Sequence, residues 1–264
     1  MQLSKIPVGG RYSFKGYAAP ILLYLAIIII SNVTFAQGGP PMLTDDSGTP
    51  GDGNWEDNFA FVFNGSRNSY TKDFPVADLN YGVGSRIQLK TEIAWVAGNG
   101  EPLSGKFDYI SPGLKYRFLD EKEDGVSFST FPSITASFQP EDKNKTAEFG
   151  FFLPFEISKE FFGFSLNAQA GYRLMGKRSG WAFGLVACHD LGSTTALLLE
   201  LHSTLDRPEG QASFDGETFL DLGAQINLSE HFTILTAIGK SLTSPSLSSA
   251  DANVYGYFGL QLHL

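Results

Sequence analysis

The sequence predicts an all-β fold, a transmembrane antiparallel up-and-down β-barrel of about 12 strands. Three observations favour this fold. Segments that alternate apolar and polar residues recur along the chain, and most are near the roughly 9 to 11 residues that a tilted strand needs to cross a bilayer. Long and short connections alternate between these segments, as in barrels with short turns at one end and longer loops at the other. The last segment, 253–264, has one apolar face and ends the chain on it.

The individual strands are predicted from the period-two alternation of their side chains. The predicted ranges are 54–64, 75–82, 84–96, 107–118, 125–138, 146–158, 161–174, 180–190, 193–203, 217–228, 231–240 and 253–264. The longer predicted connections are 65–74, 97–106, 139–145, 175–179, 204–216 and 241–252. In the third strand, Ile87 and Leu89 share one face while Gln88 and Lys90 share the other. The eighth, ninth and eleventh strands alternate less regularly.

The terminal segment, 253–264, reads NVYGYFGLQLHL. Phe258 and Leu260 fall on its apolar face, and Tyr257 falls on the opposite face. Such a strand suits a barrel that closes on itself in lipid, where strand edges cannot be left unpaired. The segment resembles the carboxyl-terminal recognition signal of bacterial outer-membrane barrels, although Leu264 stands where that signal usually has an aromatic residue. This resemblance implies recognition by the barrel assembly machinery.

The amino terminus has the order of a secretory signal peptide over residues 1–36. Lys5, Arg11 and Lys15 precede an apolar run, 21–30, and small residues follow. This run is shorter than the roughly 20 residues of a spanning helix, so export is predicted, with a retained amino-terminal anchor as the alternative. Cleavage removes three cations from a chain whose net charge is already −9. A chain this acidic is not expected to bind nucleic acid.

The predicted mature chain begins with an irregular periplasmic amino-terminal segment, 37–53, rich in Gly, Pro and Asp, and the predicted barrel occupies 54–264. Several stretches of the mature chain are similar to one family. They are PPMLTDD (40–46), GNWE (53–56), DLNYGV (78–83), GLKYRFLDE (113–121) and YFGLQL (257–262). In these stretches the sequence resembles the outer-membrane transporters of phenol-degradation meta pathways. The resemblance implies a porin-like barrel in the outer membrane of a Gram-negative bacterium.

Nine side chains are predicted to line the lumen: Arg86, Lys90, Glu92, Lys115, Arg117, Glu148, Arg173, Tyr255 and Tyr257. A hairpin of the third and fourth strands would place Arg86 near Arg117 and Gln88 near Lys115. Because like charges opposed on a sheet repel, this end of the lumen needs anions. Asp45, Asp46 and Asp52 could supply them if residues 38–53 fold back into the lumen. Screening by water and ions is the alternative.

The sequence gives little support for an enzyme. His189, Asp190 and Ser193 are the nearest approach to a triad, but no nucleophile motif surrounds the serine. The other histidines, His202, His231 and His263, have no metal-ligand spacing, and Cys188 is a lone cysteine. The acidic run 120–124 lacks the spacing of a calcium loop and is expected to be solvated. No catalytic residue, metal site or cofactor is therefore predicted.

The predicted function is a monomeric outer-membrane channel or transporter for small aromatic or hydrophobic compounds. Twelve strands should enclose a passage for one small solute, and a lining of charged and aromatic side chains suits a molecule with a ring and a polar group. The predicted partners are outer-membrane lipid, the barrel assembly machinery and the solute. The alternatives are a non-transport barrel, either structural or a lipid-modifying enzyme, and a soluble periplasmic β-sandwich.

Overall fold

A computed structural model describes residues 39–66, 70–98, 105–138, 146–243 and 253–264. The predicted signal peptide, 1–36, lies outside the described residues. The predicted fold class is confirmed. The described chain forms a closed antiparallel barrel of 12 strands together with one helical turn, α1 (Glu121–Asp124).

The barrel is built from strand segments that follow one another in chain order. They are β1 (Trp55–Gly65), β2 (Tyr70–Val83), β3 (Ile87–Ala97), β4 (Lys106–Leu119), β5 (Ser127–Thr130), β6 (Ser133–Ser137), β7 (Glu148–Phe161), β8 (Phe164–Met175), β9 (Arg178–Asp190), β10 (Thr195–Pro208), β11 (Asp215–Asn227), β12 (Phe232–Thr243) and β13 (Val254–His263). β1 pairs with β13, with Phe59 opposite Leu260, and this pairing closes the barrel. Closure pairs the strand edges that lipid would otherwise leave unsatisfied.

Segments β5 and β6 are the two halves of one strand. The predicted unbroken strand at 125–138 is therefore wrong in this detail, although the count of twelve holds. Both halves pair with β4 and β7, and they are separated by Phe131 and Pro132. Proline has no N–H for the ladder, and Pro112 of β4 and Pro154 of β7 remove two further donors nearby. The ring of Phe131 is buried.

The two ends of the barrel differ in their connections. At the termini end, where β1 begins and β13 ends, the connections are 84–86, 120–126, 162–163, 191–194 and 228–231. At the opposite loop end they are 66–69, 98–105, 138–147, 176–177, 209–214 and 244–253. The predicted long connection at 175–179 is wrong, because β8 and β9 extend to a two-residue turn. Gly176 occupies a positive φ of 54° in that turn, which a residue without a side chain adopts readily.

Side chains alternate between the outer surface and the lumen as the pattern of the terminal strand predicts. Phe258 is 61% exposed, whereas its neighbour Tyr257 is 9% exposed. Near the termini end, rings of neighbouring strands meet on the outer surface, with Phe118 and Phe128 5.6 Å apart between centroids. Aromatic girdles of this kind lie at the lipid–water interface in outer-membrane barrels. Among the described residues, no helix is long and apolar enough to cross a membrane.

Candidate functional site: the barrel lumen

Residues 39–53, called the plug segment here, cross the interior of the barrel without forming a helix or strand. The segment contacts inward-facing side chains on widely separated strands, among them β4, β10 and β13. It turns back on itself where Gly39 N donates to Thr44 O at 2.9 Å. Near β1, Gly53 N donates to Gly82 O at 3.0 Å, which ties the segment to the termini end. The plug segment therefore forms a loop whose apex, Leu43, points toward the loop end.

Glycines in the barrel wall leave the space that the plug segment occupies. A Cβ atom at Gly184 would lie 1.7 Å from Thr44 Oγ1, and one at Gly82 would lie 1.7 Å from the Gly51 carbonyl oxygen. A Cβ at Gly223 would lie 2.1 Å from the terminal methyl of the methionine in the segment. Real Cβ atoms do not approach other atoms this closely. The wall and the plug segment are therefore complementary in shape at three separate strands.

Lys115 on β4 makes the central charged contact with the plug segment. Its side chain is 1% exposed, and Nζ donates to Asp45 Oδ1 at 3.0 Å and to the main-chain carbonyl of Asp46. Glu156 on β7 lies 3.6 Å from the same nitrogen, and the ring of Phe131 lies beneath it, 5.0 Å from Nζ to the centroid. A buried ammonium group requires such partners, because its desolvation is costly.

Lys90 on β3 extends this cluster. Its Nζ lies 3.3 Å from Asp78 Oδ2 and 3.8 Å from Asp45 Oδ2. Burial alone would raise the pKa of Asp45, but the charges of Lys115 and Lys90 outweigh it and lower that pKa. Burial raises the pKa of Asp46 to about 6, against the opposing charge of Lys115. The two neighbouring carboxyl groups are thus held differently, and Asp45 makes the closer contacts with the lysines.

Glu200 on β10 holds the apex of the plug segment from the other side of the lumen. Its fully buried carboxylate accepts hydrogen bonds from Leu43 N at 2.9 Å and Thr44 N at 2.6 Å. Hydrogen bonds to a charged acceptor are stronger than those between neutral groups. The Tyr255 hydroxyl donates to Pro41 O at 3.1 Å. Sequence reasoning missed Glu200, and the available signal was a single acid at an inward position of the apolar run ALLLEL, 196–201.

Of the four lumen cations predicted on the third and fourth strands, the structure brings Lys90 and Lys115 to the plug segment but not the two arginines. Arg86 and Arg117 lie side by side at the termini end, where Arg117 N donates to Arg86 O at 2.8 Å. Arg86 pairs with Glu123 at 3.3 Å and Arg117 pairs with Asp120 at 2.8 Å. These acids belong to the run 120–124, which forms α1 and its capping residue and is not simply solvated charge.

The other predicted lining residues lie at different levels of the barrel. Tyr255 and Tyr257 are buried on β13, and Glu92 accepts a hydrogen bond from a tyrosine hydroxyl of β4. The carboxylate of Glu148 lies over Gly176 at the loop end, where a Cβ on that glycine would lie 1.5 Å from Oε1. These residues do not form one cluster.

The lumen is narrow beside the plug segment and wide on its loop-end side. Next to Lys90 and Asp78 the remaining cavity is about 20 Å³, room for little more than one water molecule. On the loop-end side of Leu43 lies a cavity of about 440 Å³, called the upper chamber. Its wall includes Arg173 and Asp206, which are joined by two hydrogen bonds, one of them 2.8 Å long from Nε to Oδ1. The upper chamber is therefore large enough to hold a small solute.

Of the residues considered for enzymatic chemistry, His189, His231 and His263 lie away from this chamber, whereas His202 lines it. His189 Nδ1 lies 2.8 Å from Gly163 O at the termini end, and its ring packs 4.7 Å from that of Phe164. His231 Nδ1 lies 3.0 Å from His263 O at the same end. Within the described residues, no group of three or more His, Cys, Asp or Glu could hold a metal ion.

Comparisons with known proteins bear on the fold. No family model and no curated protein matches the sequence. An outer-membrane channel of Pseudomonas putida F1 superimposes with a TM-score of 0.60 and 13% identity, over 86% of this chain and 99% of that one. The NanC porin superimposes with a TM-score of 0.52 and 8% identity, over 79% of this chain and 100% of that one. The chain has the fold of outer-membrane channels and porins. At such identities the likeness extends to the fold alone.

Proposed function

We propose that this protein is an outer-membrane channel of a Gram-negative bacterium that passes small aromatic or hydrophobic compounds. The upper chamber is the observation that supports the proposal most directly. Its volume of about 440 Å³ is within the range of small-molecule sites, and apolar side chains such as Leu43, Phe152 and Met175 alternate in its wall with polar ones. The phenol class comes from the sequence resemblance and belongs to the proposal.

Barrel size supports passage past the plug segment. Barrels of about 8 strands are filled by their own side chains, whereas those of about 16 to 18 strands enclose an aqueous channel. In this 12-strand barrel the plug segment fills the middle of the lumen, and wall glycines such as Gly82, Gly184 and Gly223 leave the room for it. Displacement of the segment would connect the upper chamber with the termini end. Transport in this proposal therefore requires that the plug segment move.

Uptake into proteoliposomes tests the proposal. Labelled phenols and size-matched sugars are compared as initial rates above those of protein-free vesicles, because small phenols also cross lipid unaided. We expect phenol uptake above the vesicle background and little sugar uptake for the full mature chain. Deletion of residues 38–52 should admit both classes. No uptake above background for either solute, in either protein, would reject transport and favour the non-transport alternatives, a structural barrel or a lipid-modifying enzyme.

A further inference from the structure

The polar wall of the upper chamber is built on β8, β9 and β10. Arg173 on β8 and Asp206 on β10 are both opposite Gly180 of β9, and their side chains meet over it. A Cβ at Gly180 would lie 2.6 Å from Asp206 Oδ1, so only glycine leaves room for the pair. The two opposite charges compensate each other at the loop-end mouth of the chamber. This pair is therefore a poor anchor for a charged solute.

The floor of the chamber lies deeper in the barrel, and its polar side chains are His202 and Gln169. His202 is four residues before Asp206 on β10, or about 13 Å away at the rise of a strand. It is opposite Gly184 of β9, which is in turn opposite Gln169 of β8. Ala182 forms the wall between the mouth and the floor. The chamber thus has an apolar middle, with polar groups at both ends.

His202 stands out among the floor residues because its hydrogen-bonding capacity is not used. Its ring lines the chamber, and Nδ1 has no hydrogen-bond partner in the part of the chain that the structure describes. The amide nitrogen of Gln169, by contrast, donates to Glu156 Oε1 at 3.3 Å. Nδ1 is buried as the ring stands, so a solute reaches it only when the ring turns toward the chamber. A polar group without a partner in a buried position costs free energy, which a bound solute can recover by bonding to the imidazole.

The charge near His202 favours one kind of solute head group. Glu200 lies two residues away on the same face of β10, and its buried carboxylate is held by Leu43 N and Thr44 N. An anionic head group beside His202 would meet this like charge in a poorly hydrated space. A hydroxyl group carries no charge and can donate to or accept from an imidazole nitrogen.

We propose that His202 is the specificity-determining residue of the upper chamber. In this assignment the chamber binds molecules with one ring and an uncharged hydroxyl-type head group, and it excludes carboxylates of the same size. The ring contacts Leu43 and Ala182, while the head group bonds to His202. The inference rests on the proposed function for its biological meaning, but the binding site can be tested without transport.

The test uses the full mature chain in lipid nanodiscs with its four histidines labelled with nitrogen-15. Benzyl alcohol, benzoate and toluene are titrated as matched probes with the same ring and different head groups. We expect a saturable shift of the His202 ring resonances with benzyl alcohol, and binding about tenfold weaker for benzoate. His231 and His263 lie at the termini end and serve as internal controls, because a shift there would report partitioning into lipid.

Two variants complete the test. His202→Leu keeps the bulk of the side chain but removes the hydrogen bond, and we expect benzyl alcohol to bind about fivefold more weakly while toluene is unaffected. Binding to this variant is followed through the methyl resonances of Met175. Ala182→Trp occupies the middle of the chamber without replacing His202, and it should abolish the shift of His202 with all three probes.

Each outcome decides a different point. A His202 resonance that does not move with benzyl alcohol would overturn the site, even if the vesicles take up phenols. Equal affinity for benzyl alcohol and benzoate would overturn the assignment of head-group selection to His202. A saturable shift together with no uptake would leave the site standing and reject the transport function.

Discussion

Replacing Lys115 by Met should release the plug segment. Lys115 Nζ bonds to Asp45 and to the carbonyl of Asp46, and it lies 3.6 Å from Glu156. Methionine fills a similar volume but leaves both carboxylates without this cation. Because the affected contacts join the segment to the wall, the change weakens docking of the segment more than it weakens the barrel.

The expected size of the effect follows from the partners that remain. Removing one member of a buried ion pair costs about 3 to 5 kcal/mol. Asp45 keeps Lys90 at 3.8 Å, and Glu156 keeps the Ser129 hydroxyl at 2.7 Å, so the lower end of this range applies. A loss of about 3 kcal/mol lowers the ratio of docked to undocked segment by about a hundredfold.

Single-channel recording in planar bilayers measures this ratio as the time spent at high conductance. The deletion of residues 38–52 defines the fully open level. Arg86→Met is the matched control, because Arg86 pairs with the largely exposed Glu123 and such surface pairs contribute about 0 to 1 kcal/mol. Asp45→Asn added to Lys115→Met should cost less than the sum of the two single changes, because the two residues share one contact.

One result would refute this reasoning. If Lys115→Met conducts like the unmodified protein while the deletion conducts strongly, the ion pair does not hold the segment. Equal opening by Arg86→Met and Lys115→Met would show that general loss of positive charge, and not the buried contact, causes the change.

Two further predictions concern packing. Phe258→Arg, on the outer face of β13, should lower the free energy of unfolding in lipid vesicles by about 2 to 4 kcal/mol. Leu228→Arg, in a turn at the termini end, should lower it by about 0 to 1 kcal/mol. Equal losses for the two variants in denaturant titrations would contradict the face assignment. Gly82→Ala should displace the plug segment, because the new Cβ would lie 1.7 Å from the Gly51 carbonyl oxygen. Gly256→Ala is its control, because a Cβ there would lie 3.7 Å from the nearest atom. Displacement is measured as protease cleavage within the plug segment. Greater cleavage in the control than in Gly82→Ala would count against the prediction.

The fold could be predicted from sequence because the alternation of polarity within each strand depends only on what its two faces contact. Phe258 must face lipid and Tyr257 must face the lumen whatever their neighbours are, so the alternation is readable one strand at a time. The predicted strand bounds are wrong where a backbone property overrides the alternation. Pro132 interrupts the fifth strand, and the turn at Gly176 shortens a connection that the residues 175–179 suggested to be long.

The charged contacts of the lumen could be predicted only in part. The sequence predicts Lys90 and Lys115 on the lumen face of neighbouring strands of one hairpin, with Gln88 opposite Lys115. The same anions are expected for the arginines, but α1 and its capping residue supply other acids at the termini end. Asp120 lies three residues from Arg117, and Glu123 pairs with Arg86. For Arg117, closing this short segment costs less chain entropy than bringing a distant acid across the barrel, so the local partner prevails.

The sequence alone determined the number of strands, their faces and the acidic segment that precedes the barrel. The tertiary structure decided where that segment lies, because its position depends on residues that meet only after the barrel closes. Glu200 reaches Thr44 across 156 residues of chain, and Gly184 leaves the space that the Thr44 side chain fills. Contact with lipid requires apolar side chains on the outer face, and this requirement can be recognised within a single strand. The contacts of the plug segment cannot be recognised in this way, since each of them joins parts of the chain that are distant in sequence.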